Sequence, residues 1–205
     1  MSSIWTELLN NILATSWQEW VSTLLQITSV WFAMKNNVWV YPTGIIGVLL
    51  ASYIYLFMNH PPLYGESALN FYYFIMSIYG WRQWTRKKNE QIMYPVSWCS
   101  KIELLNGLFV FLGCWLMIYL ILSRLTNSNT PVLDAFVSAT AVSSMWWMAK
   151  RKMENWIAWV ISNLAAIPLN YSKNLMLFSL MYILFLGMAV SGFFSWKKML
   201  RNVQA

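Results

Sequence analysis

Apolar residues gather into seven long runs separated by short polar stretches, and no run alternates strictly between apolar and polar positions. The runs extend from about Trp17 to Met34, Trp39 to Met58, Tyr64 to Trp84, Lys101 to Leu122, Pro131 to Met148, Asn155 to Asn170 and Leu175 to Trp196. Each approaches the roughly 20 residues a helix needs to cross a bilayer core about 30 Å thick. Only helices and closed barrels satisfy their backbone polar groups in lipid, and runs of this length without a period of two predict helices. The pattern predicts an all-α membrane protein with seven transmembrane helices.

Composition agrees: 59% of the 205 residues are apolar and 10% are charged, whereas a soluble domain carries about 25% charged residues. The net charge of +7 would suit a nucleic-acid partner if its basic residues shared one soluble face. They do not. With the runs threaded alternately, one side receives Lys35, Arg82, Arg86, Lys87, Lys88, Lys101, Lys150, Arg151, Lys152, Lys197, Lys198 and Arg201, leaving only Arg124 and Lys173 opposite. Basic loops stay in the cytoplasm, which predicts an outside N-terminus, a cytoplasmic C-terminus and no nucleic-acid partner. No basic residue precedes Lys35, so a cleaved basic leader is not expected. Trp39, Tyr41, Trp81, Trp84 and Trp196 lie at run ends, where interfacial anchoring is expected.

The third and seventh runs superpose without a gap, Leu63 on Leu175, Ser67 on Ser179, Gly80 on Gly192 and Trp84 on Trp196. Ser29, Trp31 and Lys35 likewise fall on Ser144, Trp146 and Lys150, and two inserted residues bring Trp39 to Trp156. The fourth run then becomes a linker between two triplets of the same direction, a 3+1+3 arrangement of parallel repeats found in transporters. The predicted divisions are an extracytoplasmic segment 1–16, a first three-helix bundle 17–84, a basic loop with linker helix 85–130, a second bundle 131–196 and a cytoplasmic tail 197–205.

Catalytic equipment is sparse. His60 is the single histidine and sits in a His60-Pro61-Pro62 loop, while Cys99 and Cys114 are far apart and expected to be reduced. No metal-ligand spacing, phosphate-cradling glycine loop or serine-histidine-acid set can be assembled, and Ser195 with Lys198 has no companion motif. The expectation is no enzyme activity, no metal and no cofactor. Glu19, Glu66, Glu103, Asp134 and Glu154 all fall near run ends. A mid-membrane charge costs about 2.5 to 3.5 kcal/mol and normally marks a relay or ion site, so facilitated diffusion is expected over a proton-driven pump.

Polar and aromatic residues do share helix faces. Trp156, Trp159 and Asn163 are spaced by three and four, as are Glu66, Asn70, Tyr73 and Ser77. Ser138, Thr140, Ser143 and Ser144 add hydroxyls in the fifth run, and Asn106 an amide in the fourth. Hydroxyls in membrane helices usually bond their own backbone or a neighbouring helix, but two indoles beside an amide suit a clamp for a flat, cationic heteroaromatic solute.

The strings Trp39-Val-Tyr-Pro-Thr-Gly44, Leu63-Tyr64 through Tyr79-Gly80-Trp81-x-x-Trp84, and Glu154-Asn155-Trp156-x-x-Trp159-x-x-x-Asn163 resemble the PnuC family of bacterial vitamin transporters, over about Trp17 to Trp196. The resemblance implies a seven-helix bundle related to the SWEET sugar transporters, in the bacterial inner membrane. It also implies passive uptake of nicotinamide riboside followed by trapping through phosphorylation, with thiamine as the alternative substrate and a trimer as the implied assembly. Carried across, the tryptophan-asparagine motif places Trp156, Trp159 and Asn163 at the substrate. Asn70, Tyr73, Ser138, Thr140 and Ser144 complete the expected site. Asn70 and Met145 stand where the family pattern has glutamines.

Overall fold

The computed structural model describes residues 2–60, 63–88, 91–92, 94–126 and 128–204. Its helices are α1 Ser2–Ala14, α2 Trp17–Met34, α3 Val40–Tyr53 with a π-helical continuation Ile54–Met58, α4 Tyr64–Thr85, α5 Lys101–Leu125, α6 Pro131–Ala149, α7 Glu154–Ser172 and α8 Met176–Gln204. A two-stranded antiparallel ribbon, β1 Lys87–Lys88 and β2 Gln91–Ile92, follows α4. The fold is thus all-helical apart from this ribbon. Pro61 and Pro62 of the expected outer loop lie outside the described residues, and His60 beside them is exposed.

The acids expected near run ends all occupy first turns of helices: Glu19, Glu66, Glu103, Asp134 and Glu154. There they face the positive end of the helix dipole. Ser16 with Glu19 and Ser100 with Glu103 form complete capping boxes, so the starts of α2 and α5 are fixed by local sequence.

α3 packs between α2 and α4, and α7 packs between α6 and α8. The two triplets meet where α4 lies on α6 and α2 on α8, while α5 packs on α6 and leaves most of its surface exposed. Among the described residues, four helical segments are long and apolar enough to cross a membrane by length and composition: Val40–Met58, Lys101–Leu125, Pro131–Ala149 and Met176–Asn202. α2, α4 and α7 are of similar length but more polar, and their buried polar residues Ser22, Ser67, Asn70, Ser77, Asn155, Ser162 and Asn163 face other helices.

The two triplets share several local features. Both α2 and α6 end in a turn with a left-handed residue, Asn36 (φ 51°) and Arg151 (φ 54°). In these turns Lys35 and Lys150 place their ammonium groups over Trp31 and Trp146, 3.6 and 3.9 Å from the ring centres. Ser67 Oγ donates to Ser52 O, and Ser179 Oγ donates to Ile167 O, each at 3.2 Å. Ser22 Oγ donates to Gly47 O at 2.9 Å; at the matching positions the donor is reversed, Ser162 Oγ to Val137 O at 3.1 Å.

Two sequence expectations change. Trp39 and Trp81 are exposed at 58% and 41%, as anchors should be, but Tyr41, Trp84 and Trp196 are buried at 0%, 4% and 0%. The physical reason is a reciprocal pair of bonds between the triplets: Trp84 Nε1 donates to Met148 O at 3.2 Å, and Trp196 Nε1 donates to Ala33 O at 2.8 Å. Secondly, the register that lays Ser29 on Ser144 runs on ungapped to Tyr41 on Trp156, so Tyr41, not Trp39, is the counterpart of Trp156. Residues 2–14 are helical and touch α8, and α8 continues beyond Trp196 through Lys197, Lys198 and Arg201.

Candidate functional site

The structure places Trp156 among buried rings. It is buried at 1% against Trp196, with ring centroids 5.5 Å apart at 90°, and over Gly192, where an added Cβ would lie 2.5 Å from the indole. Tyr41 does the same in the first triplet, over Gly80 and edge-on to Trp84 at 5.1 Å and 87°. These glycines exist to admit a ring. Both rings lie among the buried residues of the main core, with Tyr41 Oη and Trp156 Nε1 each buried without a partner.

Trp159, one turn on, is half-buried and turned toward α4, where its ring stands 6.3 Å from that of Tyr73 at 53°. α4 and α7 belong to different triplets and do not pack along their length. The Tyr73–Trp159 pair therefore spans the seam between them. Asn163 is buried at 3%, and its side-chain amide makes no hydrogen bond with the described residues. Asn70 donates from Nδ2 to Glu66 O at 2.9 Å, and its Oδ1 has no partner among the described residues. The seam thus offers two aromatic faces and unpaired amide groups, the mixture that fixes a small polar heterocycle.

The hydroxyls divide. Thr140 Oγ1 donates to Phe136 O and Ser144 Oγ to Thr140 O, each at 2.7 Å, so both bond their own helix. Ser138 is half-buried and has no hydrogen-bond partner among the described residues. Met145 lies in the apolar core. Tyr182 of α8, absent from the sequence prediction, lies in electrostatic reach of both Tyr73 and Tyr55, and of Glu66. Tyr182 occupies in α8 the place of Asn70 in α4 when Ser67 is laid on Ser179. The repeat already held that signal.

At the basic end, residues 94–99 run across the α6–α7 turn. Ser97 N–H donates to Arg151 O at 3.2 Å, Met153 N–H to Ser97 O at 2.9 Å and Arg151 Nη1 to Tyr94 O at 3.0 Å. The Arg151 guanidinium sits 4.3 Å from the Trp84 ring centre, and its burial holds it below the usual arginine range, partly offset by Tyr41. Burial and the Glu154 carboxylate push the Cys99 thiol up, so it stays protonated and unreactive at neutral pH. Both cysteines are free. Among the described residues no three metal-ligating side chains come together.

A helical bundle with membrane-capable segments and two like-built triplets facing a polar, aromatic seam is the architecture of a multi-pass membrane transporter, not an enzyme. The family described as nicotinamide mononucleotide transporter matches residues 16–198, and the chain belongs to that family, the bacterial PnuC transporters. The nicotinamide riboside transporter PnuC of Escherichia coli K12 is 23% identical, over 88% of this chain and 85% of its own. The riboflavin/roseoflavin transporter RibM of Streptomyces davaonensis is 22% identical, over 88% and 84%. A crystal structure of the vitamin B3 transporter PnuC shares the fold with a TM-score of 0.70 and 22% identity, over 97% of this chain and 88% of that one.

Proposed function

We propose that the protein is a passive uniporter for nicotinamide riboside, bound in the seam between the triplets. The observation that carries this reading is the Tyr73–Trp159 pair bridging α4 and α7 beside the unpaired amide of Asn163. Aromatic faces attract a pyridinium cation by about 0.5 to 2 kcal/mol, and Asn163, Asn70 and Ser138 supply hydrogen bonds for carboxamide and ribose. The nearby Glu66 carboxylate favours a cation over neutral riboflavin. Thiamine, also a ring cation, is the second reading on the same observation.

In this reading α2 to α8 span the bacterial cytoplasmic membrane as 3+1+3, with the N-terminus outside and the basic end inside. α2, α4 and α7 are tolerated because their polar residues face the interior. The triplets rock about the seam, opening it to each side in turn. An inside-negative potential drives a univalent cation inward by about 2.3 kcal/mol per 100 mV, so no ion gradient is needed.

Calorimetry on the purified protein with nicotinamide riboside, thiamine and riboflavin tests the reading. Saturable riboside binding is expected, weakened about tenfold by Trp159→Ala and by at least as much by Asn163→Ala. Affinity unchanged by both substitutions would sink the site. Proteoliposome uptake should follow an imposed diffusion potential and survive collapse of the pH gradient. Tags on the two ends should report opposite compartments.

A further inference from the structure

A cavity of about 380 Å³ opens at the basic end of the bundle, apart from the Tyr73–Trp159 seam. Its walls include Tyr79 and Gln83 on α4, Ser97 on the segment before α5, Glu103 in the first turn of α5, and Lys150 and Lys152 in the α6–α7 turn. The volume suits a nucleoside-sized solute. Lys152 is committed to Glu103 at 2.9 Å and to Ser97 at 3.2 Å. Lys150 has no carboxylate partner among the described residues and rests on the Trp146 ring. Two ammonium groups against one carboxylate leave the cavity net positive. Gln83 Oε1 is buried without a partner and calls for a donor such as a hydroxyl. Tyr79 lies nearly parallel to Trp146, at 8°, and offers a flat face.

We infer that this cavity is a second binding site, for a soluble phosphate monoester of a nucleoside. The phosphate sits at Lys150, a sugar hydroxyl donates to Gln83, and the ring lies against Tyr79. α4 belongs to the first triplet, whereas residues 94–99 are bonded to the turn of the second, so an occupant bridges the two. A ligand held by both triplets binds one relative placement best and biases the rocking equilibrium toward it. The regulatory consequence rests on the uniport reading: a nucleoside monophosphate present on the side of the basic end slows further entry.

The test uses the full chain in phosphatidylcholine nanodiscs, titrated with nicotinamide mononucleotide, inorganic phosphate and nicotinamide riboside. Saturable nucleotide binding that persists with riboside already bound is expected, weakened about tenfold by Lys150→Gln. Gln83→Leu, which removes an unpaired acceptor and creates none, should also weaken it and serves if Lys150→Gln does not fold. Nucleotide trapped in proteoliposomes on the side of the basic end should slow riboside uptake. Absent nucleotide binding, full displacement by riboside, or indifference to both substitutions overturns the site. So does loss of nucleotide binding once phosphatidylglycerol is added, which would assign the cavity to a lipid headgroup. Nucleotide binding without any riboside transport leaves this site standing and overturns the uniport reading instead.

Discussion

The first triplet, α2 to α4, and the second, α6 to α8, share a skeleton and differ in what they hang on it. Both bury a ring over a glycine, Tyr41 over Gly80 and Trp156 over Gly192. Both send an indole N–H across to the other's carbonyl, from Trp84 and Trp196. One turn further the likeness stops. Trp159 and Asn163 stand where the first triplet has Gly44 and Val48, and Asn70 stands where the second has Tyr182. Gly44 could not carry a larger group, because an added Cβ would lie 2.8 Å from Ser29 Oγ. The shared positions hold the halves together, and in the proposed reading the divergent ones line the seam, so a near-symmetric scaffold carries one asymmetric site.

The strongest way to break this comparison is at the glycines. Gly192→Ala and Gly80→Ala should each lower stability by about 1 to 3 kcal/mol through overpacking, read as thermal unfolding in detergent. Trp156→Leu should relieve the first and Tyr41→Leu the second. Gly187→Ala, with nothing within 4 Å of an added Cβ, is the control and should not destabilise. If the glycine substitutions prove harmless, the rings are not seated as described.

Next in size are Trp84→Phe and Trp196→Phe, each expected to cost about 1 to 2 kcal/mol by removing a buried donor. Their effects should be non-additive, since the two rings also touch at 5.8 Å. Strict additivity in a double-mutant cycle would show that the two bonds do not act as one latch.

Ser22→Ala and Ser162→Ala sharpen the comparison where the donor is reversed. Each should cost about 0.5 to 1.5 kcal/mol, with similar values despite lying on α2 in one triplet and α7 in the other. The smallest effect concerns the segment found only beside the second triplet. Cys99 should alkylate slowly at neutral pH, and Glu154→Gln should speed the reaction because a carboxylate that disfavours the thiolate is gone. An unchanged rate would mean burial alone protects the thiol.

Helix positions were legible along most of the chain. The run predicted from Trp17 to Met34 is α2 end for end, and the others match within a few residues except the last, whose helix runs past Trp196 to Gln204. α1 was not recognised because 13 residues are too few to span a bilayer and give no long apolar run. The ribbon Lys87–Lys88 with Gln91–Ile92 carries no alternation to announce strands. The indoles at run ends misled for a clear reason. An anchor at the lipid surface and a donor reaching a carbonyl on another helix both place an apolar ring and one N–H near a helix end.

The chain alone determined its membrane-suited helices and the matched residues of α2 to α4 and α6 to α8, because length and residue spacing are local properties. Only the packed molecule decided which tryptophan of the Trp156–Trp159 pair faces the seam. Three residues apart on a helix, the two rings start from the same flank. The missing side chain of Gly192, on a different helix, admits Trp156 to the core and leaves Trp159 facing Tyr73. A space supplied by another helix leaves no trace in the neighbouring residues, so burial of the first ring and exposure of the second to the seam emerge only when the helices meet.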